Sequence, residues 1–454
     1  MSITSFRALL AHLETRGELA RVTRAVDPAF ELIAVLRKMQ KGANDALLFE
    51  TPRGSPVPVA TNVMSRRRTL AASLDIEPAR LLPEMAMRES RTLPWEIVDK
   101  APVQQVVIEA GRLDVARDVP QVVHSERDAG AYVTAGIFIA RDPKTGVYNA
   151  SWNRAQLVGG ARMRVRMMPP QHLGQYQLAA EGAGKPLPVA IVIGAPPAVM
   201  LAAASKIPYE ADELEAAGAW QGSALRVVPA KTVPLMVPAD AEMVIEGEIV
   251  PGIREEEGPF GEFMDGYVEV GRNHVFRATA LTRREDAIYH VILAGGTEDL
   301  TLLSLMLQSE IYKRIAPIAR VREIGMPGQI LGCVVAIEKT SDEQARAVML
   351  AAMAAHPWMK IVIIVDADVD PHDAEDVLWA IHTRCRPDTG VHVVPGVPSF
   401  PRADIKSVHS GKMAIDATVP LAMRDVLMRR RFPGLDAIDL ADYVTRASPP
   451  AALR

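Results

Sequence analysis

Short apolar runs separated by turn-forming residues fill the middle of this chain, from about Val106 to Leu293. The separators include Asp142-Pro143, Gly194 and Pro251-Gly252, and these residue types favour tight turns. Apolar runs that are bounded in this way are typical of β-strands. The pattern predicts a β-rich middle domain, for which a barrel is the simplest account. The runs are Ala131–Ala140, Val189–Ile193, Val227–Val228, Met243–Ile249, Tyr267–Val270 and Val275–Leu281.

The residues before this region combine helical and strand patterns. Apolar residues recur every three or four positions in two segments, which is the spacing of one helix face. Apolar runs at Ala46–Phe49 and Val57–Ala60 lie close to proline and glycine and predict strands. We therefore expect a small α/β domain. The helical positions are Phe6, Leu9, Leu10 and Leu13 in the first segment and Ile33, Leu36 and Met39 in the second.

Strand and helix patterns alternate again near the carboxyl terminus. Ile330–Ile337 and Ile361–Val365 read as strands, and Ser341–Ala355 and a segment from about 373 to 383 read as helices. Ser341 and Gln344 have the spacing of a capping box, which would satisfy exposed amides at the start of the first helix. This alternation predicts a separate domain built from β and α units. The tail Ser448–Arg454 is expected to be loose.

Charge and cysteine content exclude several classes of protein. The 454 residues carry a net charge of −4, and the arginines occur in scattered groups such as Arg66–Arg68 and Arg429–Arg431, so nucleic acid is not expected as a partner. The two cysteines, Cys333 and Cys385, suggest neither a disulfide framework nor a thiolate metal site. The sequence has neither a basic and apolar leader nor a membrane-length apolar run. We expect a cytoplasmic protein.

The segment from Glu257 to Glu262 is the strongest candidate for chemistry. Its two carboxylates flank Gly258-Pro259-Phe260-Gly261, which cannot be helical, so a tight turn could aim both acids into one cavity. Paired carboxylates of this kind serve acid–base catalysis. A solvated acidic loop is the simpler alternative, since Glu255 and Glu256 lie beside it and charge runs usually face water.

A second candidate segment runs from Asn149 to Arg154. An arginine suits a substrate carboxylate because its planar fork donates two parallel hydrogen bonds. A separation of five residues would put Asn149 and Arg154 on opposite faces of a regular strand, so a shared site requires a bulge or a strand end. A structural ion pair at the surface is the alternative for Arg154.

Two further segments could contribute metal ligands. Gln171-His172 follows two prolines, which end regular structure, so His172 begins a loop or a helix where its ring could meet a phosphate or a metal. The carboxylates of Asp212, Glu213 and Glu215 could complete an oxygen-rich site or simply begin a solvated helix. A carboxylate with an imidazole and an amide oxygen suits Mn²⁺ or Mg²⁺.

Taken together, the segments resemble the UbiD family of decarboxylases from roughly residue 100 to residue 420. Three segments carry the resemblance, Val237–Gly247, Glu257–Glu262 and Lys412–Thr418, and their common order makes it more specific than any one of them. The resemblance implies an α+β fold with three domains. These are an amino-terminal α/β domain over 1–105, a central split β-barrel that binds flavin over 106–312 and a carboxyl-terminal α/β oligomerisation domain over 313–454.

The resemblance also implies prenylated FMN as the cofactor, Mn²⁺ or Mg²⁺ as the metal and K⁺ as a further candidate ion. Arg154, Glu257 and Glu262 match the family's catalytic Arg-Glu-Glu triad. The matching metal ligands are Asn149, His172 and Glu213. The implied cofactor contacts are Asn149, Ser151, Arg154, Gln171, His172 and Lys412.

The implied reaction is the reversible, non-oxidative decarboxylation of an aromatic, heteroaromatic or α,β-unsaturated acid. Arg154 would orient the carboxylate and Glu257 would hold Arg154. Glu262 would transfer the proton, since Phe263 and Met264 follow it and should exclude water. A flavin prenyltransferase would supply the cofactor.

The resemblance also implies a homodimer or homohexamer, with an apolar surface at Leu421, Met423 and Leu427. Two departures from the family concern the substrate and the cofactor. Ala294–Leu300 stands where relatives often carry a proline-rich or histidine-bearing stretch, so substrate preference does not transfer. His409-Ser410-Gly411 precedes Lys412 where relatives vary.

Two alternatives from other classes remain at this point. One is an oxidoreductase that uses ordinary FMN, although no Gly-x-Gly-x-x-Gly element follows a clear strand. The other is an inactive, cofactor-binding subunit of a decarboxylase complex, which the complete set of triad residues disfavours.

Overall fold

The amino-terminal part combines short strands with amphipathic helices. A computed structural model describes residues 3–400, 410–427, 429–430, 432–439 and 442–444, so the tail at 448–454 and His409 lie outside the described residues. The elements are α1 Phe6–Thr15, β1 Leu19–Val22, α2 Glu31–Gln40, β2 Ala46–Phe49, β3 Val59–Thr61, α3 Arg67–Ser73, α4 Leu81–Arg88 and β4 Glu96–Ile97. The apolar positions predicted for the first helix are buried on α1, which confirms that helix.

The middle of the chain contains most of the strands, as predicted. Its elements are β5 Val106–Glu109, α5 Val115–Asp118, β6 Tyr132–Val133, β7 Ile137–Arg141, β8 Tyr148–Trp152, β9 Ala155–Gly159, β10 Arg162–Val165, α6 His172–Gly182, β11 Leu187–Ile193, α7 Pro197–Ala204, α8 Glu213–Gln221, β12 Arg226–Pro229, β13 Met236–Pro238, β14 Met243–Glu257, β15 Phe260–Gly261, β16 Tyr267–Val268, β17 Gly271–Arg283, β18 Tyr289–Val291 and α9 Thr297–Ile315.

A nine-stranded sheet organises this region. Its strand order is β6-β9-β10-β17-β14-β11-β7-β8, with β5 also paired to β17, and the path does not close on itself within the described residues. The two longest strands, β14 and β17, pair antiparallel and form its centre. A register shift lies between Glu246 and Gly247, where a Cβ on Gly247 would lie only 2.2 Å from the carbonyl oxygen of Arg277. Glycine is therefore required at this close approach of two strands.

The carboxyl-terminal part is a five-stranded sheet with helices. Its elements are β19 Arg320–Gly325, β20 Gly332–Glu338, α10 Glu343–Ala355, β21 Ile361–Asp366, α11 Ala374–Arg384, β22 Val391–Pro398 and β23 Ser410–Ala417. The order is β19-β20-β21-β23-β22, in which β20, β21 and β23 run parallel. The predicted α10 is confirmed, but Asp342 rather than Ser341 precedes it as the N-cap. Gln344 still accepts from the backbone N–H of Thr340 at 2.6 Å and of Ser341 at 3.4 Å.

Two pairings tie the amino-terminal residues to the middle of the chain. β18 completes the sheet β1-β2-β3-β18, and β4 pairs with β12 in a three-stranded sheet with β13. The buried apolar residues extend across these sheets and α9. None of the described helices is both long enough and apolar enough to span a bilayer.

Candidate active site

Arg154 lies just beyond the end of a strand. β8 ends at Trp152, and β9 begins at Ala155, so Asn153 and Arg154 form the connection between two strands. Within a regular strand, Asn149 and Arg154 would point to opposite faces. The strand end releases Arg154 from this alternation, as the spacing required.

Both glutamates of the Glu257–Glu262 segment contact the guanidinium of Arg154. Nε of Arg154 donates to Oε1 of Glu257 at 3.0 Å, and Nη2 donates to Oε2 at 3.1 Å. Nη1 donates to Oε1 of Glu262. Two parallel bonds from a guanidinium to a carboxylate fix the orientation of both groups. The structure therefore brings the three predicted triad residues together.

The two glutamates have different surroundings. The side chain of Glu257 is 1% exposed, and its Oε2 also accepts from Nδ2 of Asn273 at 2.7 Å. Glu262 is 24% exposed and lies 3.7 Å from Nη1 of Arg166, so Phe263 and Met264 do not exclude water from it as expected. Burial disfavours the charge on Arg154, but Glu262 and Glu257 outweigh burial and raise the pKa of Arg154.

The turn between the glutamates is held by residues that the sequence did not single out. Gly258 has a φ of +96°, which favours glycine. Oδ1 of Asp128 accepts from the backbone N–H of Gly261 at 2.8 Å, and Oδ2 accepts from the N–H of Ser125 at 2.9 Å. Asp128 therefore fastens one loop to the other. In sequence it lies in Asp128-Ala129-Gly130, which has the composition of an ordinary turn.

Aromatic side chains cover one side of the triad. The Arg154 guanidinium carbon lies 4.5 Å from the ring centre of Phe260, and the Tyr132 ring centre lies 4.6 Å from that of Phe260. Burial raises the pKa of Tyr132, and the charge of Glu257 adds to this effect. Burial also lowers the pKa of His124 to about 4, so its ring is neutral near pH 7. The aromatic wall shields the ion pairs from water and strengthens them.

A second cluster joins Asn149, His172 and Glu213. Nδ2 of Asn149 donates to Oε1 of Glu213 at 2.9 Å, and Nδ1 of His172 lies 3.5 Å from the same oxygen. Asn149 comes from β8, His172 is the first residue of α6, as its position after two prolines predicted, and Glu213 is the first residue of α8. Asp212 caps α8 by accepting from the N–H groups of Leu214 and Glu215. Three separate elements thus converge on one point.

The composition of this cluster fits a hard divalent cation. It offers an imidazole, an amide and a carboxylate, which are ligands for Mn²⁺ or Mg²⁺. Oε2 of Glu213 is buried and has no hydrogen-bond partner in the described part of the chain. A buried carboxylate oxygen without a partner is costly unless it binds something. Asn149 is on β8, the strand that ends two residues before Arg154.

The remaining predicted cofactor contacts divide into two groups. Oγ of Ser151 donates to Oδ1 of Asn149 at 3.1 Å, and Gln171 precedes α6 as its N-cap, so both adjoin the cluster. Lys412 is on β23, where its ammonium donates to the carbonyl oxygens of Met353 at 2.6 Å and His356 at 3.2 Å. The structure does not bring Lys412 to the other candidates. Contact with a phosphate would require Lys412 to give up these bonds.

The family-like segment Val237–Gly247 lies outside the site and stabilises the fold. Glu242 is fully buried, and its carboxylate accepts from Nε of Arg7 at 2.8 Å and from Nη2 at 3.0 Å. Glu246 is also fully buried and accepts from the backbone N–H groups of Lys231 and Thr232. The carboxylates of this segment therefore hold loops in place.

Sequence reasoning passed over a third acidic group, at the start of α9. Oδ2 of Asp299 accepts from the N–H of Gly295 at 2.8 Å. Burial, together with the charges of Glu262 and Glu298, raises the pKa of Asp299 to about 7. Glu298 is buried and lies 3.0 Å from Nε2 of the buried His290. A Cβ on Gly295 would lie 2.9 Å from the carbonyl oxygen of Phe263, so Asp299, which binds the N–H of Gly295, lies beside the loop that carries Glu262. The sequence signal was the acidic pair Glu298-Asp299 in the departure from the family noted above.

Comparisons with known proteins cover nearly the whole chain. Three family models match, namely the amino-terminal, Rift-related and carboxyl-terminal domains of 3-octaprenyl-4-hydroxybenzoate carboxy-lyase, over residues 10–88, 96–297 and 292–417. An anhydromevalonate phosphate decarboxylase of Methanothermobacter thermautotrophicus is 34% identical over 426 residues, which are 92% of this chain and 98% of that protein.

Solved structures agree with the sequence comparisons. The UbiD-class enzyme HmfF from Pelotomaculum thermopropionicum in complex with FMN is 36% identical, with a TM-score of 0.92 over 97% of this chain and 100% of the other. An evolved dimeric form of that enzyme in complex with prFMN is also 36% identical, with a TM-score of 0.89 and the same coverage. With its three domains matched and a triad of the expected type assembled, this chain belongs to the UbiD family of carboxy-lyases.

Proposed function

We propose that this protein catalyses the reversible, non-oxidative decarboxylation of an aromatic, heteroaromatic or α,β-unsaturated carboxylic acid with prenylated FMN and a divalent metal. The observation that carries the proposal is the buried Arg154, held between Glu257 and Glu262. Such an arrangement combines a binder for a carboxylate with a group that can exchange a proton.

Arg154 binds and orients the substrate carboxylate. A guanidinium has five N–H donors, and three of them are used in the bonds to Glu257 and Glu262, which leaves two for a substrate. The bidentate pair with Glu257 fixes the plane of the guanidinium before a substrate arrives. Preorganisation of this kind avoids an entropic cost during the reaction.

Glu262 exchanges the proton. After carbon dioxide leaves, the carbon that carried it must gain a proton, and Glu262 is the triad carboxylate that retains solvent exposure. In the direction of carboxylation the same oxygen accepts the proton. Bound prenylated FMN supplies the electron sink that loss of carbon dioxide from an unsaturated carbon requires.

In this proposal Asn149, His172 and Glu213 would hold the metal, which would supply positive charge for the cofactor phosphate. The unpartnered oxygen of Glu213 supports this assignment. Ser151 and Gln171 lie at the same cluster and are proposed cofactor contacts. Lys412 remains a proposed contact on family resemblance alone, and K⁺ remains a further candidate ion on the same ground.

The substrate, the oligomeric state and the location in the cell are also part of the proposal. The name of the archaeal relative adds a phosphorylated acid to the acids to be considered for this chain. We further propose a homodimer or homohexamer in the cytoplasm, with a flavin prenyltransferase as the source of the cofactor.

Coexpression with a flavin prenyltransferase tests the proposal. The purified protein should carry a chromophore with the mass of prenylated FMN and should release carbon dioxide from at least one acid in a panel of benzoic, heteroaromatic and acrylic acids. Protein purified without the prenyltransferase is the control. Unmodified FMN that is reduced by NADPH, without release of carbon dioxide, would support an oxidoreductase instead.

A further inference from the structure

A cavity of about 500 Å³ opens next to the loop that carries Glu262. Phe263 and Asp265 from that loop line one end, and Gly295, which bonds Asp299, lies beside them. The other walls come from α2, α3, α9, the loop before β20 and His372 in the loop before α11. Neither the three triad residues nor the proposed cofactor and metal residues line this cavity, which adjoins the triad through Phe263, the residue that follows Glu262.

One face of α9 forms the floor of the cavity. Six lining residues of this helix lie 0, 3, 4, 7, 8 and 11 positions from Thr297, the pattern of a single helix face. Four of the six are polar. At 1.5 Å per residue, the face runs for roughly 16 Å from its first to its last member. The six residues are Thr297, Leu300, Thr301, Ser304, Leu305 and Gln308.

Two arginines line this cavity. Nη1 of Arg67, on α3, donates to Oε1 of Gln308 at 3.2 Å at the far end of the α9 face, and its Nη2 lies 3.1 Å from Oε1 of Glu323. The Arg67 side chain is 23% exposed. Burial lowers the pKa of Arg67, and Glu323 only partly offsets this effect. The guanidinium therefore lies in a poorly solvated position where a further anion would stabilise it.

Arg37, on α2, is the second cation. Its Nη1 lies 3.5 Å from Oε1 of Gln40, and it makes no ion pair within the described part of the chain. Asp265 is the acidic residue among those that line the cavity, and it is exposed to solvent. The walls thus combine two guanidinium groups with hydroxyl and amide groups. A substrate whose only polar group is the reacting carboxylate would leave these hydrogen-bond donors without a partner.

We infer that the substrate carries a second anionic group, a carboxylate or a phosphate ester, which binds Arg37 and Arg67 while the reacting carboxylate binds Arg154. This inference rests on the proposed function and names the substrate class for the same site. Arginine is suited to both anions because its fork matches their paired oxygens. The apolar residues Leu70, Leu300 and Met326 in the cavity would cover the carbon chain between the two anions.

Matched series of ligands test the inference on the holoenzyme. Each 2-enoic acid of about six to ten carbons, a range chosen from the roughly 16 Å helix face, is compared with the same acid bearing a terminal carboxylate or a terminal phosphate. Calorimetric binding and release of carbon dioxide are both measured. At the best length, a terminal anion should tighten binding roughly 10- to 100-fold, as expected for hydrogen bonds to a charged group. The terminal group, carboxylate or phosphate, that gives the tighter binding identifies the second anion.

Variants locate the second anion. Arg37→Gln and Arg67→Gln should each remove most of the preference for the terminal anion by raising KM, while kcat and the binding of the simple acids stay near the wild-type values. Lys38→Gln and Arg68→Gln are matched controls, since Lys38 is exposed and Arg68 pairs with Glu18 outside the cavity. Because loss of the Glu323 pair could disturb folding in Arg67→Gln, Arg67→Lys is included and should keep part of the preference.

The outcomes separate this inference from the proposed function. If simple acids react but a terminal anion adds no affinity, or if Arg37→Gln and the folded Arg67 variants keep the full preference, the second-anion site is wrong and the decarboxylase stands. If no acid of any series binds or reacts and the chromophore is not prenylated FMN, the proposed function fails and the inference fails with it.

Discussion

Glu257 and Glu262 share one arginine but differ in access. Glu257 is 1% exposed and is held by Arg154 and Asn273, so it suits the orientation of the guanidinium. Glu262 is 24% exposed and can meet a substrate. Glu256, one position before Glu257, is exposed near the end of β14, so this neighbour faces water as the alternative expected, although it lies in a strand and not in a loop, whereas Glu257 is buried. At the residue scale, burial therefore assigns different tasks to chemically identical side chains.

Glu262→Gln tests the proton-transfer role. The amide keeps the shape of the side chain but cannot exchange a proton, so kcat should fall by roughly 10²- to 10⁴-fold. The absorbance of the bound flavin should not change, because Glu262 is not a predicted cofactor contact. Glu256→Gln is the control and should remain active. Decarboxylation by Glu262→Gln at the wild-type rate would show that the assigned role is wrong.

Asp299→Asn tests the raised pKa of a residue beside the triad. The pKa of Asp299 is about 7 in the folded protein, against a reference value of 3.8 that applies to the unfolded chain. Between these two pH values the folded state therefore binds the proton more strongly than the unfolded state does. The folded state therefore loses stability as the pH rises from about 4 to about 7, and it loses no more above that. The amide cannot ionise and should not show this loss.

Urea unfolding at pH 5 and pH 8 measures the effect. Relative to wild type, the free energy of unfolding of Asp299→Asn should be higher at pH 8 than at pH 5 by about 1–3 kcal/mol, after a discount for the partial exposure of the carboxyl group. Asp265→Asn, the same substitution at an exposed position, is the control. An equal difference between variant and wild type at both pH values would contradict the assignment.

At the scale of elements, the proposed metal cluster depends on how β8, α6 and α8 are packed. Each element contributes one proposed ligand from its own strand or first turn. The ring of His172 also lies edge-on to Tyr209, with centres 5.0 Å apart, and Tyr209 donates to Oδ2 of Asp142 at 3.1 Å. A chain of contacts thus orients the imidazole, as is usual for ligands of metals.

His172→Ala tests this cluster. Loss of a supporting contact to a metal ligand already weakens binding roughly 10- to 100-fold, so loss of a ligand should reduce metal affinity by at least about tenfold. Metal content and flavin absorbance after desalting should both decrease. His382→Ala is the control, since His382 is exposed on α11. Unchanged metal and flavin content in His172→Ala would contradict a shared site for the metal and the phosphate.

At the scale of the molecule, the carboxyl-terminal sheet has an exposed apolar strand at its edge within the residues that the structure describes. β22 is the last strand of that sheet, and Val391, Val393, Val394 and Val397 on it are 36–67% exposed. Exposed apolar edge strands invite pairing with another chain. Met423, predicted to lie at the subunit interface, is 44% exposed, whereas Leu421 and Leu427 are half-buried. These observations support β22 as part of the surface for the proposed oligomer.

Val393→Asp tests this surface. Val393 is 67% exposed, so the monomer should tolerate the substitution, while a buried charge at an interface should dissociate the oligomer. Light scattering coupled to gel filtration should report a smaller mass for the variant. Leu178→Asp, 55% exposed on α6, is the matched control and should keep the wild-type mass. A wild-type monomer, or an unchanged mass for Val393→Asp, would contradict the prediction.

Much of the fold follows from local patterns in the sequence. The spacing of Phe6 to Leu13 specified α1, and the run Ala46–Phe49 coincides with β2. The ends of the strands follow less directly from the sequence. β14 extends to Glu257, well beyond the apolar run that ends at Ile249. Polar residues continue the strand because β17 pairs with it beyond a register shift. Hydrogen bonds from a neighbouring strand, rather than apolar alternation, set that end.

The sequence by itself determined the helices and strands with clear periodicity and the break at Gly258-Pro259, because these depend on backbone preferences over a few residues. Only the tertiary structure decided that Glu242 and Glu246 stabilise loops, that Asp128 and Asp299 adjoin the triad, and that Arg37 and Arg67 line a cavity beside Glu262. Distances between residues far apart in the chain are set by sheet register and helix packing, which local spacing does not encode.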